Sequence, residues 1–409
     1  MSCGEGFYMY KFSVYSVIRI SGERVIIGNL KKRTWIRMGR TEYKRICDAL
    51  KEKELSEKYR KKLEKLYKIG VLVESGKDES IREKLNTIMI AITNRCNLRC
   101  KHCGFSAGPE ETEELSGDNV KKIIKCNKNV GNIIITGGEP LIHPDFFEIA
   151  YFLGANFTGK KTLMTNATLI NESNISAIID NFNEVSISLD AVGKDTCDYI
   201  RGKGVFDHAM DVIMLLKRNK FDNISLSFVL TEVNKGEEHI FLKLCEELQV
   251  KPMIRDFFSM GRGKNNEEEL KIREENSGEI ILQDYQKHRK NIRFNGGCSA
   301  GTKLLYVQFD GRIYPCPVTA VNTKFTMARL EELRDMDLQK IIDDRENSSG
   351  YCNFCDISPD KIEHCKECSV KDFCWKCIQE YYTFIASGED RKVFCKNQKE
   401  VLEKIVWGD

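Results

Sequence analysis

The stretch Cys96-Asn97-Leu98-Arg99-Cys100-Lys101-His102-Cys103 decides the fold and the chemistry of this 409-residue chain. It follows an apolar run, Ile88 to Ile92, that predicts a β-strand. Three thiolates in so short a loop can bind three irons of a cubic [4Fe-4S] cluster and leave the fourth iron open to a ligand that is not protein. The alternative is a zinc knuckle in which His102 is the fourth ligand.

Runs typical of strands and helices alternate around this loop, from Thr87 to about Ser259. Six runs have the composition of buried strands: Ile88 to Ile92, Asn132 to Thr136, Lys161 to Thr165, Glu184 to Leu189, Ile224 to Leu230 and Pro252 to Phe257. Amphipathic stretches separate them, which predicts a parallel sheet with right-handed crossovers. Because cysteines rather than a glycine fingerprint follow the first strand, we predict an α/β fold with a partial, TIM-like (β/α)6 barrel and not a Rossmann sheet.

The CxxxCxxC spacing of the loop resembles that of the radical S-adenosylmethionine (SAM) enzymes, and the resemblance covers about residues 87–260. In that family, Cys96, Cys100 and Cys103 would hold a [4Fe-4S] cluster whose open iron binds the amino and carboxylate groups of SAM. The reduced cluster cleaves SAM to a 5′-deoxyadenosyl radical, which removes a hydrogen atom from the substrate. The residue before the third cysteine is usually aromatic; here it is His102, which still offers a ring and backbone groups for the adenine. No protein acid or base can be assigned.

Polar residues at the ends of the next strands would complete the SAM site. The stretch Gly137-Gly138-Glu139-Pro140 resembles the family's GGEP motif, which contacts the SAM amino group. Glycines permit close backbone approach, and a carboxylate complements an ammonium group. By the same resemblance, Asn166, Ser188 and Asp190 would contact the SAM carboxylate and ribose. Each also has a simpler interpretation, as a polar strand end or a helix cap.

Nine further cysteines lie between Cys298 and Cys395. Thiols clustered in this way indicate metal sites rather than disulfides. The patterns Cys298-x12-Gly311-x4-Cys316 and Cys365-x2-Cys368-x5-Cys374-x2-Cys377, followed by Cys395, resemble the SPASM domain. That domain follows many radical SAM barrels and carries two auxiliary [4Fe-4S] clusters. A pair of zinc ribbons is the alternative.

The SPASM resemblance implies a ligand set for each auxiliary cluster, and with the SAM-binding cluster it predicts three [4Fe-4S] clusters. The outer cluster would be held by Cys365, Cys368, Cys374 and Cys395, and the inner one by Cys298, Cys316 and Cys377. The gap between Cys374 and Cys377 is two residues where three are usual. Cys352 and Cys355 are additional, so either one of them completes the inner cluster or that cluster keeps an open iron.

The first 80 residues differ from the rest in charge, with 19 Lys and Arg against 11 Asp and Glu, a net charge of +8 where the whole chain has +3. Strand-like runs at Phe12 to Ile20, Arg24 to Ile27 and Thr34 to Met38 precede two helical patterns, which predicts a winged-helix-like α+β module that folds as a unit. Its architecture resembles the peptide recognition element of maturases of ribosomally made peptides. There a leader peptide adds a strand beside the third strand and lies against a helix. Nucleic-acid binding is the alternative for a basic module of this kind.

We therefore predict four parts: a peptide (leader) recognition module at 1–80, a radical SAM partial barrel at 81–263, a helical bridge at 264–295 and a SPASM domain at 296–409. No apolar run approaches the roughly 20 residues of a membrane helix, and the amino terminus lacks the pattern of a signal peptide. We expect a cytoplasmic protein without a membrane partner.

Together the motifs predict a radical SAM oxidoreductase that binds a ribosomally made precursor peptide through its leader and forms a thioether between a cysteine sulfur and a carbon atom, as in sactipeptide and ranthipeptide synthases. A ferredoxin or flavodoxin would supply electrons one at a time. Alternatives that begin with the same radical SAM chemistry are carbon–carbon crosslinking or another oxidative modification, similar to that of sulfatase maturases. A zinc-stabilised nucleic-acid-binding protein is the alternative from another class.

Overall fold

The structure is a computed structural model that describes residues 9–51, 56–76, 83–272, 294, 298–357, 361–374, 377 and 391–408. The chain forms two compact units. One comprises Met1–Arg82, Glu274–Cys298 and Asp356–Asp409, and the other comprises Glu83–Arg273 and Ser299–Cys355. The limits of the four predicted parts stay predictions, and most of the predicted bridge, 264–295, lies outside the described residues.

The first unit begins with short antiparallel strands and two helices. They are β1 (Tyr10–Phe12), β2 (Ser16–Ser21), β3 (Arg24–Asn29), β4 (Thr34–Gly39), α1 (Arg40–Ala49), α2 (Glu57–Lys68) and β5 (Leu72–Glu74). Strands β2, β3 and β4 form a meander, and β1 pairs with β5. The predicted strand Phe12 to Ile20 is thus two strands, because the chain turns where Ser16 N donates to Ser13 O at 2.9 Å.

The central strand β3 is buried on both faces, because its alternate side chains meet two different layers. On one face, Val25 and Ile27 pack with residues of α1, α2 and β5. On the other face, Ile26 packs with Phe294 and with residues of the carboxy-terminal segment, including Leu402. That segment contains helices Glu363–Lys366 and Arg391–Val406. The front module therefore shares a core with the tail, and its expected independence as a folding unit does not follow from its structure.

The second unit is the predicted parallel sheet. Its strands are β6 (Thr87–Ala91), β7 (Asn132–Thr136), β8 (Lys160–Thr165), β9 (Glu184–Ser188), β10 (Ile224–Leu230) and β11 (Lys251–Asp256). The helices are α3 (Gly117–Cys126), α4 (Phe146–Asn156), α5 (Ile175–Ile179), α6 (Lys194–Arg201), α7 (Val205–Arg218), α8 (Glu238–Glu247), α9 (Arg262–Asn265) and α10 (Glu267–Leu270). The six strands lie side by side in chain order and are parallel throughout. The partial (β/α)6 barrel is confirmed.

Three later strands extend this sheet at the β6 edge. They are β12 (Leu304–Val307), which pairs with β6 in parallel, and β13 (Arg312–Tyr314) and β14 (Ala328–Arg329), which add antiparallel. Short helices at Gln339–Asp343 and Ser349–Cys355 complete the unit. Residues predicted to begin the SPASM domain therefore continue the barrel sheet. Within the described ranges, no helix has both the length and the apolar character required to span a membrane.

Candidate active site

The loop after β6 carries Cys96, Cys100 and Cys103, and residues that follow β11 hold it in place. Arg262 N donates to Cys103 O at 2.9 Å. The Arg262 guanidinium donates to the carbonyl oxygen of Cys100 at 3.0 Å and to those of two later loop residues. Asn266 Nδ2 donates to the carbonyl oxygen of Lys101, also at 3.0 Å. The motifs in the sequence did not predict a role for Arg262 or Asn266, although both follow the sixth predicted strand, whose carboxyl end faces the same edge of the sheet as this loop.

The three thiols are partly or fully withdrawn from water, and two of them receive N–H donors. Cys96 is buried, and Cys100 and Cys103 are half-buried. Leu98 N donates to Cys96 Sγ at 3.4 Å, and Arg201 Nη1 lies 3.9 Å from Cys100 Sγ. Burial raises the pKa of the Cys96 thiol to about 12 and that of Cys100 to about 11. Iron replaces the thiol proton, and the donors then stabilise a thiolate, so this site fits an iron–sulfur cluster.

The glycine pair after β7 packs directly against the backbone that leads to Cys96. Gly138 N donates to Thr93 O at 2.8 Å. A Cβ atom on Gly138 would lie 2.2 Å from the carbonyl oxygen of Arg95, and one on Gly137, whose φ is +152°, would lie 2.5 Å from Thr93 O. No side chain fits at such distances from backbone atoms. The pair is therefore needed for the contact between the β7 loop and the cysteine loop.

Glu139 and Asn166 connect this contact to the cysteines. Glu139 is fully buried, and its carboxylate accepts hydrogen bonds from Thr165 Oγ1 at 2.7 Å and from Asn166 N at 2.8 Å. Burial raises the pKa of Glu139 to about 7 in spite of these hydrogen bonds. Asn166 Nδ2 lies 3.8 Å from Cys96 Sγ. Pro140 begins a 3-10 turn, Pro140–Ile142, immediately after the carboxylate. The structure thus brings Glu139, Asn166 and Cys96 together.

Asp190 lies beneath the cysteine loop in a buried ion-pair network. Its carboxylate pairs with Arg201 Nε at 2.5 Å and His102 Nε2 at 3.0 Å, and it accepts a hydrogen bond from Val229 N at 2.6 Å. Burial alone would raise its pKa, but the Arg201 guanidinium and the His102 ring hold the pKa well below its usual range. The described neighbours thus occupy both carboxylate oxygens, and the ribose contact of Asp190 stays a prediction. Ser188 ends β9, half-buried, two residues before Asp190.

His102 has one ring nitrogen free for a ligand. Its Nε2 is held by Asp190, which fixes the orientation of the ring. Its Nδ1 is buried and has no hydrogen-bond partner among the described residues. A buried polar atom without a partner costs free energy unless a ligand or water satisfies it. The described residues of this edge therefore fit a polar cofactor beside the cysteine loop, as SAM would be.

The predicted auxiliary ligands are divided between the two units. Cys316, buried after β13, belongs to the barrel unit together with Cys352 and Cys355 on the helix Ser349–Cys355. The remaining six belong to the first unit: Cys298, Cys365, Cys368, Cys374, Cys377 and Cys395. Cys352 is exposed and Cys355 is half-buried. Among the described cysteines, Cys352 and Cys368 form no disulfide, so their sulfur atoms are able to bind metal.

Comparison with protein families identifies two domains. The profile of the radical SAM superfamily matches residues 90–244, and that of the SPASM iron–sulfur cluster-binding domain matches residues 298–369. These domains imply [4Fe-4S] clusters and SAM as cofactors. The first match covers the cysteine loop and the strand ends β7 to β9, and the second begins at Cys298.

Several named proteins are similar to the chain. The mycofactocin maturase MftC of Mycolicibacterium smegmatis is 26% identical over 291 residues, which is 64% of this chain and 74% of that protein. An AdoMet-dependent heme synthase of Methanosarcina barkeri is 27% identical over 307 residues, which is 65% of this chain and 86% of that protein. The subtilosin biosynthesis protein AlbA of Bacillus subtilis is 28% identical over 247 residues, which is 55% of this chain and 53% of that protein.

Among solved structures, that of SuiB from Streptococcus suis bound to S-adenosylmethionine superposes with a TM-score of 0.56. The superposition covers 89% of this chain and 94% of SuiB at 16% sequence identity, so it supports the fold. The cysteine loop, the neighbouring strand ends and the two domain matches together show that the chain is a radical SAM enzyme that carries a SPASM iron–sulfur domain.

Proposed function

We propose that this enzyme modifies a ribosomally made precursor peptide and forms a thioether between a cysteine sulfur and a carbon of an acceptor residue. The observation that carries the proposal is the combination of a strand-and-helix front module with a radical SAM barrel and a SPASM domain. Among similar proteins, MftC is a maturase, AlbA belongs to bacteriocin biosynthesis, and SuiB has been solved with its precursor peptide SuiA. The cysteine-rich tail, with nine cysteines between Cys298 and Cys395, suits a reaction that binds a thiolate and takes up an electron.

In this proposal, the residues of the site bind and orient the cofactors. Cys96, Cys100 and Cys103 would hold the cluster, Glu139 would accept a hydrogen bond from the SAM amino group, and the His102 ring would contact the adenine. The bound cluster and SAM supply the radical that removes hydrogen from the substrate. Asn166, Ser188 and Asp190 would complete the SAM site, and the Arg201–Asp190 pair fixes the His102 ring. Burial of Glu139 and Asp190 keeps water from these contacts.

The proposed reaction changes both the mass of the peptide and the number of its reactive thiols, and both can be measured. Formation of a carbon–sulfur bond removes one hydrogen from the acceptor carbon and one from the cysteine thiol, and the enzyme takes up the remaining electron. The peptide therefore loses two hydrogens in mass and one alkylatable thiol. A carbon–carbon crosslink removes the same mass but leaves the thiol reactive. Mass spectrometry before and after iodoacetamide treatment separates the two, and a product with every thiol still reactive would contradict the thioether.

A second candidate is modification of a tetrapyrrole, because the similarity to the heme synthase covers a larger share of that protein than the similarity to MftC covers of MftC. Peptide and porphyrin differ in size, charge and absorbance. Incubation of the reconstituted enzyme with SAM, reductant and either substrate distinguishes them by the change in substrate mass.

The front module is the proposed site of the leader peptide. Strand β4 is an edge strand among the described residues of the meander, and α1 packs beside it while α2 packs beside β5. An added peptide strand would gain main-chain hydrogen bonds from β4 and contact α1. Lys44 and Arg45 are exposed on α1, so the +8 charge of the first 80 residues favours an acidic leader.

The charge reversals Lys44→Glu and Arg45→Glu together are expected to weaken binding of an acidic leader about tenfold, and the wild-type affinity should fall with added salt. The probe is a synthetic acidic, cysteine-containing peptide, titrated into the full chain by calorimetry. Lys58→Glu, an exposed reversal on α2, is the control and should leave the affinity unchanged. Tight binding of duplex DNA without peptide binding would refute the leader site.

The buried carboxyl group predicts a pH dependence. Because burial raises the pKa of Glu139 to about 7, its acceptor form is lost as the pH falls. The affinity of the cluster-loaded enzyme for SAM is therefore expected to fall about tenfold from about pH 8 to about pH 6. Glu139→Gln should bind SAM about ten- to a hundredfold more weakly at the higher pH, since a charged acceptor is lost. Protonation of SAM itself changes the SAM affinity of the wild type and of Glu139→Gln equally. Identical pH profiles of the two proteins would therefore exclude this role for Glu139.

We further propose that three [4Fe-4S] clusters are present, that a ferredoxin or flavodoxin reduces them, and that the enzyme acts in the cytoplasm. The support is the number and grouping of the cysteines and the need of thiol ligands for a reducing compartment. Iron analysis after anaerobic reconstitution is expected to give about twelve iron atoms per chain.

A further inference from the structure

The five residues between Cys368 and Cys374, two predicted ligands of the outer cluster, pack against the front module. Val370 is fully buried, and Phe373 and Asp372 are nearly so. The two cysteines themselves contact the same apolar cluster, which includes Ile26 of β3 and Trp35 of β4. The conformation of this loop sets the positions of both thiols. The β2–β4 sheet therefore packs on one side of the segment that carries the Cys368 and Cys374 thiols.

One ion pair fixes the middle of the loop to β2. Arg19 Nε lies 2.7 Å from Asp372 Oδ2, and Arg19 Nη2 lies 3.1 Å from Asp372 Oδ1. This bidentate geometry is the strong form of a guanidinium–carboxylate pair. Asp372 is 8% exposed, so removal of its partner would leave a buried charge, which is far more costly than loss of a surface pair.

Aromatic and capping contacts extend the attachment. The rings of Trp35 and Phe373 meet edge to face with centroids 5.0 Å apart. Arg37 of β4 donates to the carbonyl oxygens of Val406 and Gly408 at 2.9 and 3.0 Å. It thereby caps the carboxyl end of the helix Arg391–Val406, which carries Cys395. Three strands of the module thus contact both segments that hold the four predicted outer ligands.

We propose that the β2–β4 sheet is a structural wall of the outer iron–sulfur site, so that cluster occupancy and peptide binding at the front module are thermodynamically coupled. Any ligand that orders residues 365–374 stabilises the sheet that packs on them, and an ordered sheet in turn favours the ligand, because coupling between two sites is reciprocal. The peptide half of the proposal rests on the proposed binding of a precursor peptide, whereas the iron half rests on the auxiliary cluster that the SPASM match implies.

The iron half is tested with a charge swap. Arg19→Asp and Asp372→Arg are each expected to lower the iron content of the reconstituted full chain by about four per molecule and to remove the electron paramagnetic resonance signal of one auxiliary cluster. The double variant restores the pair in reverse orientation and should recover both the iron and the signal. The control is Lys61→Asp, which disrupts the exposed Lys61–Glu57 pair on α2 and should keep full iron. Full iron in both single variants would overturn the proposal.

Hydrogen exchange of the wild-type protein tests the coupling without any substitution. Amides of β2, β3 and β4 should exchange at least about tenfold more slowly in the iron-loaded chain than in the iron-free chain, and addition of the precursor peptide should slow iron loss to a chelator by a similar factor. Unchanged exchange in β2–β4 would overturn the proposal, even if the single variants fail to fold. Slower exchange with no binding of any peptide would contradict the proposed function and leave the structural wall in place.

Discussion

Replacement of Cys96, Cys100 and Cys103 together by alanine is expected to remove about four irons per chain and to abolish formation of 5′-deoxyadenosine from SAM. The three cysteines lie in one short loop, in which Arg262 donates to the carbonyl oxygen of Cys100 and Asn166 contacts Cys96 Sγ, so we expect no other described cysteine to replace them. Iron analysis and chromatographic detection of 5′-deoxyadenosine measure both effects.

The control for the triple variant is Cys126→Ala, which removes an exposed thiol at the end of α3. It should retain full iron and full SAM cleavage. The auxiliary clusters should persist in the triple variant. Continued SAM cleavage by that variant would show that the SAM-binding cluster lies elsewhere.

Gly138→Ala is expected to have the largest effect of any single small substitution in the barrel, with loss of SAM cleavage of about a hundredfold or more. A Cβ atom there would lie 2.2 Å from the carbonyl oxygen of Arg95 and 2.8 Å from that of Asn94, so the backbone before Cys96 must move. Displacement of a catalytic loop by about 1 Å commonly costs about a hundredfold in rate. Activity and cluster absorbance of the purified variant measure the effect.

Gly193→Ala is the matched control, because no atom lies within 4 Å of a Cβ built there and its φ of −107° suits any residue. Its activity should equal that of the wild type. Equal activity of the two glycine variants would contradict the tight contact between the β7 loop and the cysteine loop.

The fold of the barrel was predictable because each β/α unit carries its own local signal. The strands β6 to β11 lie within a few residues of the predicted runs, and the parallel order follows from the alternation with helices. The parallel pairing of β12 with β6 was not predictable, since no period in the sequence reports which distant segment joins a sheet edge. The same applies to Ile26, whose buried partners, such as Phe294 and Leu402, lie more than 260 residues away.

The site was predictable where a motif fixes the chemistry and not where side chains meet only in three dimensions. Cys96, Glu139 and Asn166 are close together as expected. The pairing of Asp190 with Arg201 and His102 depends on where α6 returns to the sheet, which no spacing in the sequence reveals. Arg262 lies in a polar stretch of the sequence, and its role is apparent only from the three carbonyl groups that it contacts in the structure.

The contacts of Arg262 also constrain the order of events during protein synthesis. The ribosome makes the three cysteines more than 150 residues before it makes the side chain that secures their loop. In a nascent chain that ends before Arg262, the cysteine loop therefore lacks the hydrogen bonds that Arg262 donates to it. We therefore expect stable insertion of iron at this site only after the sixth strand and Arg262 have been translated.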